Sequence, residues 1–160
     1  MPILRKLRQS LDENRIPYEV LTHPPAYTAQ EVAAAQHVKG RDFAKVVMAA
    51  AGDRPLMVVL PATRRLDLLK LGSVAATDDR PRLAHEHEFE HLFDPCEAGA
   101  MPPMGNLFGI RVYVDQSLAG EDTIVFQAGT HTETVRMRYA DFAKLVNPVL
   151  GDFTLMREEL

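Results

Sequence analysis

The segment from residue 43 to residue 60 constrains the fold more than any other part of the chain. Residues 44–51 are apolar except for Lys45 and include two adjacent valines, and a second apolar run covers residues 56–60. The four residues between these runs are Gly, Asp, Arg and Pro, which is typical of a turn. The sequence therefore predicts a hairpin of two buried strands, near 43–51 and 56–60.

Helical and strand-like patterns are mixed along the rest of the chain. Apolar residues at helical spacing predict an amphipathic helix over 3–14, and Thr28 with Glu31 forms a capping box for a helix that ends near His37. Further helices are predicted at 66–71, 86–93 and 139–146, and further strands at 18–22, 110–114, 123–127 and 134–137. The fold expected is α/β of the α+β type: a mixed, curved, largely antiparallel sheet packed with helices.

Length and charge limit the architecture and the partners. With 160 residues, the chain is expected to form one domain over residues 1–160. The formal net charge is −4, whereas proteins that wrap duplex nucleic acid usually have a basic face, so DNA is not an expected partner. Contacts with a few phosphates stay compatible with this charge. The cations considered for them are Arg5, Lys6, Arg8, Lys39, Arg41, Arg64, Arg65 and Lys70.

Cysteine content and hydropathy indicate the compartment. A single cysteine, Cys96, rules out an internal disulfide and fits a reducing environment. The first residues lack the apolar region of a signal peptide, and no apolar run approaches the roughly 20 residues that span a bilayer. We therefore expect a cytoplasmic protein without a membrane partner.

Lys45 is the first candidate for a functional residue. An ammonium group at the mouth of a buried strand is costly to desolvate, so Lys45 either extends its amine to water or serves a site. As a site residue it would anchor a substrate carbonyl, hydroxyl or phosphate. Its unperturbed pKa of about 10.4 favours a cation that positions substrate over a general base.

A Gly/Pro-rich segment, residues 99–103, is the second candidate. It is too apolar for an ordinary solvated loop, although Gly and Pro are also the usual residues of a plain connector. As a site it would form a rigid wall whose backbone N–H groups face a substrate. Ala100, Met101 and Pro102 would then contact the substrate. A narrow pocket bounded by this rigid wall would admit small side chains only.

The histidines and the cysteine offer other chemistries. His87 and His91 share a helix face, but zinc needs further ligands, so a solvated acidic helix is the simpler interpretation and no metal is expected. His131 lies in a tight turn between two predicted strands and is a better substrate-binding candidate, although a structural role is common for such a residue. Cys96 lacks a catalytic signature around it and is interpreted as a partly buried thiol.

Seven short segments stand out together by their order and spacing: residues 27–33, 44–47, 59–62, 66–68, 82–84, 96–103 and 128–131. Together they resemble the YbaK-type aminoacyl-tRNA deacylases. That superfamily includes the editing domain inserted in many bacterial prolyl-tRNA synthetases and its free-standing relatives. The resemblance extends over nearly the whole chain.

The resemblance implies a fold like that of YbaK and the prolyl-tRNA synthetase-associated domain, and hydrolysis of the ester between a mischarged amino acid and the 3′ end of tRNA. Lys45 matches the functional lysine of the family, and Gly99 and Pro103 match its glycine-x-x-x-proline loop, so these three are the expected catalytic residues. Tyr27 and Thr28, in the first matching segment, are expected to contact substrate. No cofactor is implied.

The partners and the alternatives follow from the same resemblance. The chain carries no synthetase modules, so it would act in trans on the acceptor end of an aminoacyl-tRNA, with an aminoacyl-tRNA synthetase as a second candidate partner. One alternative is a non-catalytic module of the same fold that binds aminoacyl-tRNA or a protein. The other is a metal-dependent hydrolase that uses His87, His91 and a carboxylate.

Overall fold

Helices and strands are interspersed along residues 4–24, 29–35 and 38–156, the part of the chain that the computed structural model describes. The helices there are α1 Arg5–Glu13, α2 Ala29–Ala35, α3 Leu68–Ala75, α4 Glu86–Phe89, α5 Gln116–Ala119 and α6 Tyr139–Val146. The strands are β1 Tyr18–Thr22, β2 Ala44–Ala51, β3 Arg54–Pro61, β4 Arg64–Leu66, β5 Arg82–Leu83, β6 Arg111–Asp115, β7 Thr123–Thr130, β8 Glu133–Arg138, β9 Val149–Gly151 and β10 Thr154–Met156. None of these helices is long and apolar enough to cross a membrane.

The predicted hairpin forms the centre of a five-stranded sheet. Strands β2 and β3 pair antiparallel along their whole length, from Ala44↔Pro61 to Ala51↔Arg54. The turn is shorter than the four residues expected, and Gly52 with φ +60 supplies the positive φ that a two-residue hairpin loop needs. The sheet order is β5-β2-β3-β6-β9, with β6 and β9 added in parallel. The prediction of a mixed sheet packed with helices is confirmed.

A second sheet continues the first at one end of β2. Strands β1, β8 and β7 form an antiparallel sheet of three strands in that order. Its strand β7 meets the residue before β2 in a parallel bridge, Phe43↔Val125. Strand β10 pairs with β4 in a separate two-stranded sheet. The start of β2, where Lys45 lies, is therefore close to β7.

Side-chain alternation divides the core between the two faces of the five-stranded sheet. Ala44 and Met48 pack on one face, in the largest cluster, together with residues of α1, α6, β7 and β8. Ala49 and Ala51 pack on the other face, under α3. Because successive side chains of a strand point to opposite faces, Lys45 shares the α3 face with Ala49 and Ala51.

The structure corrects several predicted elements. The helix expected at 66–71 is instead Leu68–Ala75, because Leu66 belongs to β4 and Asp67 is the N-cap, accepting from the backbone N–H of Leu69 at 3.0 Å. The helix expected at 86–93 tightens into a 3₁₀ helix from Glu90 onward. The short elements α5, β4, β5, β9 and β10 were not predicted, since segments of two to four residues carry no periodic signal.

Candidate functional site

A β-bulge in β7 holds the loop of the candidate site through backbone hydrogen bonds. Pairing with β8 is regular up to Gln127↔Thr134 and resumes at Thr130↔Glu133. A bulge withdraws backbone groups from the ladder, so Gly129 can bond to another segment. Gly129 has φ +106, and a Cβ there would lie 3.0 Å from Cβ of Leu4, so glycine is required at this position.

The loop that begins at Glu97 is bonded to this bulge on both sides. The backbone N–H of Glu97 donates to the carbonyl of Gly129 at 2.8 Å, and the N–H of Gly129 donates to the carbonyl of Ala100 at 2.8 Å. A third bond, from the N–H of Ala100 to the carbonyl of Glu97 at 3.0 Å, closes a four-residue turn. Gly99 is the third residue of that turn with φ +81, as a type II turn requires.

His131 and Glu97 hold the same turn from its outer side. Nε2 of His131 lies 2.7 Å from the carbonyl oxygen of Ala98; since a carbonyl only accepts, Nε2 carries a proton and donates. The backbone N–H of His131 donates to Oε2 of Glu97 at 3.2 Å. The His131 side chain is 12% exposed. The structure therefore brings together two sequence candidates, the glycine loop and His131.

The turn leaves two adjacent backbone donors without a protein acceptor. Ala98 and Gly99 are its central residues and both are exposed. Within residues 4–24, 29–35 and 38–156, neither N–H group finds an acceptor. Neighbouring N–H groups in a turn form a concavity that binds anionic oxygen, which is the arrangement needed to stabilise a developing oxyanion.

Lys45 reaches the same region through β7. It is half-buried, and its register partner on β3 is the fully buried Leu60. Strand β2 contacts β7 near the Phe43↔Val125 bridge, and Gln127 follows Val125 by two residues on β7. Gln127 is the last regularly paired residue before the bulge. The start of β2 therefore lies near the part of β7 that precedes the bulge, and the bulge is bonded to the glycine loop.

Gln127 itself is a polar residue that sequence reasoning missed. Its Nε2 atom is buried and has no hydrogen-bond partner among the described residues. Buried amide donors are nearly always paired, so an unpaired one just before the bulge is a candidate contact for a ligand oxygen. An isolated glutamine in a strand offers no sequence signal for such a role.

A small cleft borders the loop on its other side. It has a volume of about 120 Å³ and is lined by Glu86, Phe89, Glu90, Phe93, Cys96, Glu97, Ala98 and Met101. Burial raises the pKa of the Cys96 thiol to about 11. The thiol is therefore protonated at neutral pH and is a poor nucleophile, in agreement with its interpretation as a structural residue.

A family model described as an aminoacyl-tRNA editing domain matches residues 23–145, well over half of the chain and all of the geometry above from β2 to β8. The chain belongs to the aminoacyl-tRNA editing domain family. No curated protein sequence matches it. The resemblance inferred from the seven segments is confirmed at the level of this family.

Solved structures share the fold of this editing domain at low sequence identity. A hypothetical protein has a TM-score of 0.83 and 19% identity, covering 94% of this chain and 100% of its own. A protein described as a proposed trans-editing enzyme for prolyl tRNA synthetase has a TM-score of 0.80 and 21% identity, covering 94% and 96%. A proposed signal transduction protein from Marinobacter aquaeolei VT8 has a TM-score of 0.75 and 16% identity, covering 96% and 31%.

The remaining predicted site residues of the editing domain that the structure describes are buried. Ala100 is fully buried and anchors the loop through its carbonyl, while Met101 is buried in the main core and borders the small cleft. Pro102 and Pro103 are both buried. Tyr27 and Thr28 lie outside the described residues.

The histidines at 85–91 do not assemble a metal site in the described part of this editing domain. The rings of His85 and His87 stack on each other with centroids 5.6 Å apart. No group of three or more His, Cys, Asp or Glu residues that could hold a metal ion occurs among the described residues. His91 instead lines a separate cleft with Arg82 and Glu88.

Two further residues of the site were missed from sequence. The backbone of Gly129 fastens the loop and the carboxylate of Glu97 fastens His131, yet only the neighbourhood of each, residues 96–103 and 128–131, was singled out. A signal was present for Gly129, because an isolated glycine inside a strand pattern suggests a bulge. The partner of a bulge in another loop cannot be deduced from either segment alone.

Proposed function

We propose that this editing domain is a free-standing hydrolase that deacylates mischarged tRNA carrying a small amino acid. The observation that carries the proposal is the rigid turn at Ala98–Gly99, with two N–H groups that face no protein acceptor. An aminoacyl ester is already activated, so a well-placed oxyanion site and a positioned water supply much of the catalysis required.

The reaction would proceed by attack of water on the ester carbonyl. The water oxygen bonds to the carbonyl carbon, the bond to the ribose oxygen breaks, and that oxygen takes up a proton from the water to become a hydroxyl group. The N–H groups of Ala98 and Gly99 would receive the negative charge that develops on the carbonyl oxygen. Lys45 would anchor the substrate as a cation, with Gln127 donating to a ribose or carbonyl oxygen beside it.

His131 would act by positioning the turn. Its Nε2–H holds the carbonyl of Ala98, which orients the peptide unit that carries the N–H of Gly99. Since both Glu97 and the bulge constrain the same four residues, the donors would be preorganised before substrate binds. Preorganised dipoles stabilise a transition state without reorganisation during the reaction.

The small cleft beside Ala98 and Met101 supports selectivity for small side chains. Its 120 Å³ would accommodate a side chain the size of alanine, serine or cysteine. The consecutive buried residues Met101, Pro102 and Pro103 would resist displacement by a larger side chain, because closely packed interiors tolerate little expansion. Aromatic side chains would therefore be excluded by steric overlap.

A panel of mischarged tRNAs tests substrate selectivity. We expect alanyl, seryl or cysteinyl esters to be hydrolysed at least about 100-fold faster than phenylalanyl esters, since one methylene alone is worth roughly 10–200-fold in a fitted pocket. Initial rates of deacylation under equal enzyme and tRNA concentrations measure this. Equal rates for alanyl and phenylalanyl esters would refute steric exclusion. Binding without hydrolysis of any ester would favour the non-catalytic module.

The turn itself is tested by a matched pair of glycine variants. Gly99→Ala and Gly109→Ala both place a side chain at positive φ, +81 and +70, and neither new Cβ would meet an atom within about 3.8 Å. Each should cost roughly 1–2 kcal/mol of stability from backbone strain, measured by urea unfolding. We expect only Gly99→Ala to lose deacylation, by roughly 10-fold or more. Equal activities of the two variants would argue against a catalytic turn.

A further inference from the structure

A second polar cleft lies on the sheet face that carries Lys45, at the opposite end of the hairpin. It has a volume of about 350 Å³ and contains Arg54, Arg111 and Tyr113, with Val149 and the end of α3 completing its walls. Leu56 on β3 pairs with Arg111 on β6. Because Arg54 is two residues before Leu56, the alternation of side chains directs both arginines to the same face.

The charge of this cleft is not neutralised by the protein. Within residues 4–24, 29–35 and 38–156, neither Arg54 nor Arg111 forms an ion pair or a side-chain hydrogen bond. No Asp or Glu is among the residues that line the cleft. The carboxyl end of α3 contributes about half a negative charge, against two positive charges from the guanidinium groups.

Tyr113 adds a polar contact at the floor. The residue is 2% exposed and belongs to the core under α3, and its ring also lines the cleft. Its hydroxyl hydrogen-bonds to none of the described residues. Buried tyrosine hydroxyls usually find a partner, so the hydroxyl is available to a ligand in the cleft that Tyr113 lines with the two arginines.

We infer that this cleft binds a phosphate group. Guanidinium groups present a rigid fork of donors that matches phosphate oxygens in a bidentate manner, and two forks with a phenol donor satisfy several oxygens of one phosphate. A carboxylate would leave part of this donor set unused.

The position of the cleft indicates which phosphate it holds. Arg54 lies six positions along β3 from Leu60, the partner of Lys45, which corresponds to about 20 Å. This distance is too long for a single aminoacyl group and is readily spanned by a polynucleotide. Resting on the function proposed above, the cleft is assigned to a backbone phosphate of the tRNA acceptor arm whose aminoacyl end lies near Lys45.

The test compares the double variant Arg54→Gln/Arg111→Gln with Arg138→Gln, which removes an exposed arginine at the end of β8. Fluorescence anisotropy measures binding of uncharged tRNA at several salt concentrations. In the double variant we expect affinity to fall about 10-fold and the slope of log K against log salt to become shallower by about one. Arg138→Gln should leave affinity and slope close to wild type.

Kinetics provide a second readout. The double variant should raise KM for mischarged tRNA with little change in kcat, while hydrolysis of an aminoacyl ester of adenosine, too short to reach the cleft, stays at the wild-type rate. If the double variant unfolds, the single variants Arg54→Gln and Arg111→Gln should each show part of the loss. Unchanged tRNA affinity and salt slope in folded variants would overturn the assignment.

Titration with inorganic phosphate separates the two sources of the ligand. Phosphate binding that needs both arginines, together with unchanged tRNA affinity, would show that the cleft takes a free phosphate compound and would overturn the tRNA assignment. Arginine-dependent tRNA binding by a protein that hydrolyses no ester would support the cleft while refuting the proposed deacylase.

Discussion

Lys45→Ala is expected to lower deacylation of mischarged tRNA on the order of 10²–10³-fold, the usual loss when one preorganised electrostatic contact to a transition state is removed. The side chain is half-buried at the start of β2. Its removal takes away the cation proposed to hold the substrate, and the residue is only half-buried. The thermal midpoint should therefore move by no more than a few degrees, measured by circular dichroism alongside single-turnover kinetics.

Two variants separate the charge of Lys45 from its position. Lys45→Arg keeps the charge but spreads it over a planar group that fits a point-charge site poorly, so partial activity is expected. Lys144→Ala removes an exposed lysine on α6, outside the site, and should retain full activity. Wild-type rates in Lys45→Ala would refute the role of this lysine, whatever the activity of the other variants.

Asp115→Ala is expected to destabilise the fold by about 3 kcal/mol or more, because it removes a buried carboxylate that organises several neighbours. The Asp115 side chain is 2% exposed. It accepts from the backbone N–H of Ser117 at 3.2 Å and from that of Phe153 at 3.1 Å, and Arg64 lies 3.9 Å away. The hydroxyl of Ser117 donates to it as well. Without the carboxylate, the N–H of the buried Phe153 loses its acceptor.

Thermal and urea unfolding measure this effect. The midpoint of Asp115→Ala should fall on the order of 10 °C, whereas Asp152→Ala, which removes an exposed carboxylate paired with Lys70, should change stability by less than about 1 kcal/mol. Asp115→Asn keeps one oxygen acceptor and should lie between them. Similar midpoints for Asp115→Ala and Asp152→Ala would contradict the role assigned to Asp115.

The central hairpin and its lysine could be predicted from sequence because the residue patterns that indicate them are local. An apolar run of strand length, a second run after a Gly–Asp turn and a charged residue at the start are all contained within about twenty residues. The same holds for β1, β6 and α6, whose periodicities predict their type and approximate bounds. The start of α3 was misplaced, because Asp67 caps the helix and so fixes its first residue more strongly than the weak apolar periodicity around it.

The candidate site could be predicted only in part from the sequence. Residues 96–103 were selected as an unusual loop, whereas residues 128–130, expected to connect two strands, belong to β7. The roles of Lys45, Gly99 and His131 stay predictions. Their junction depends on hydrogen bonds between residues about thirty positions apart, such as His131 to Ala98. The exposed N–H groups of Ala98 and Gly99 cannot be recognised until the 97–100 turn is placed against β7. The same holds for the buried Gln127 Nε2, which has no partner among the described residues.

The amino-acid sequence by itself determined the class of fold, the family resemblance and the selection of the glycine loop as a candidate, because periodicity, turn residues and motif order are properties of contiguous segments. The tertiary structure decided how those segments meet. It placed the bulge of β7 under the glycine turn, paired β10 with β4 and set Arg54 next to Arg111 across two parallel strands. Each of these depends on pairing between distant segments, whose free energy comes from backbone hydrogen bonds and burial that no local pattern encodes.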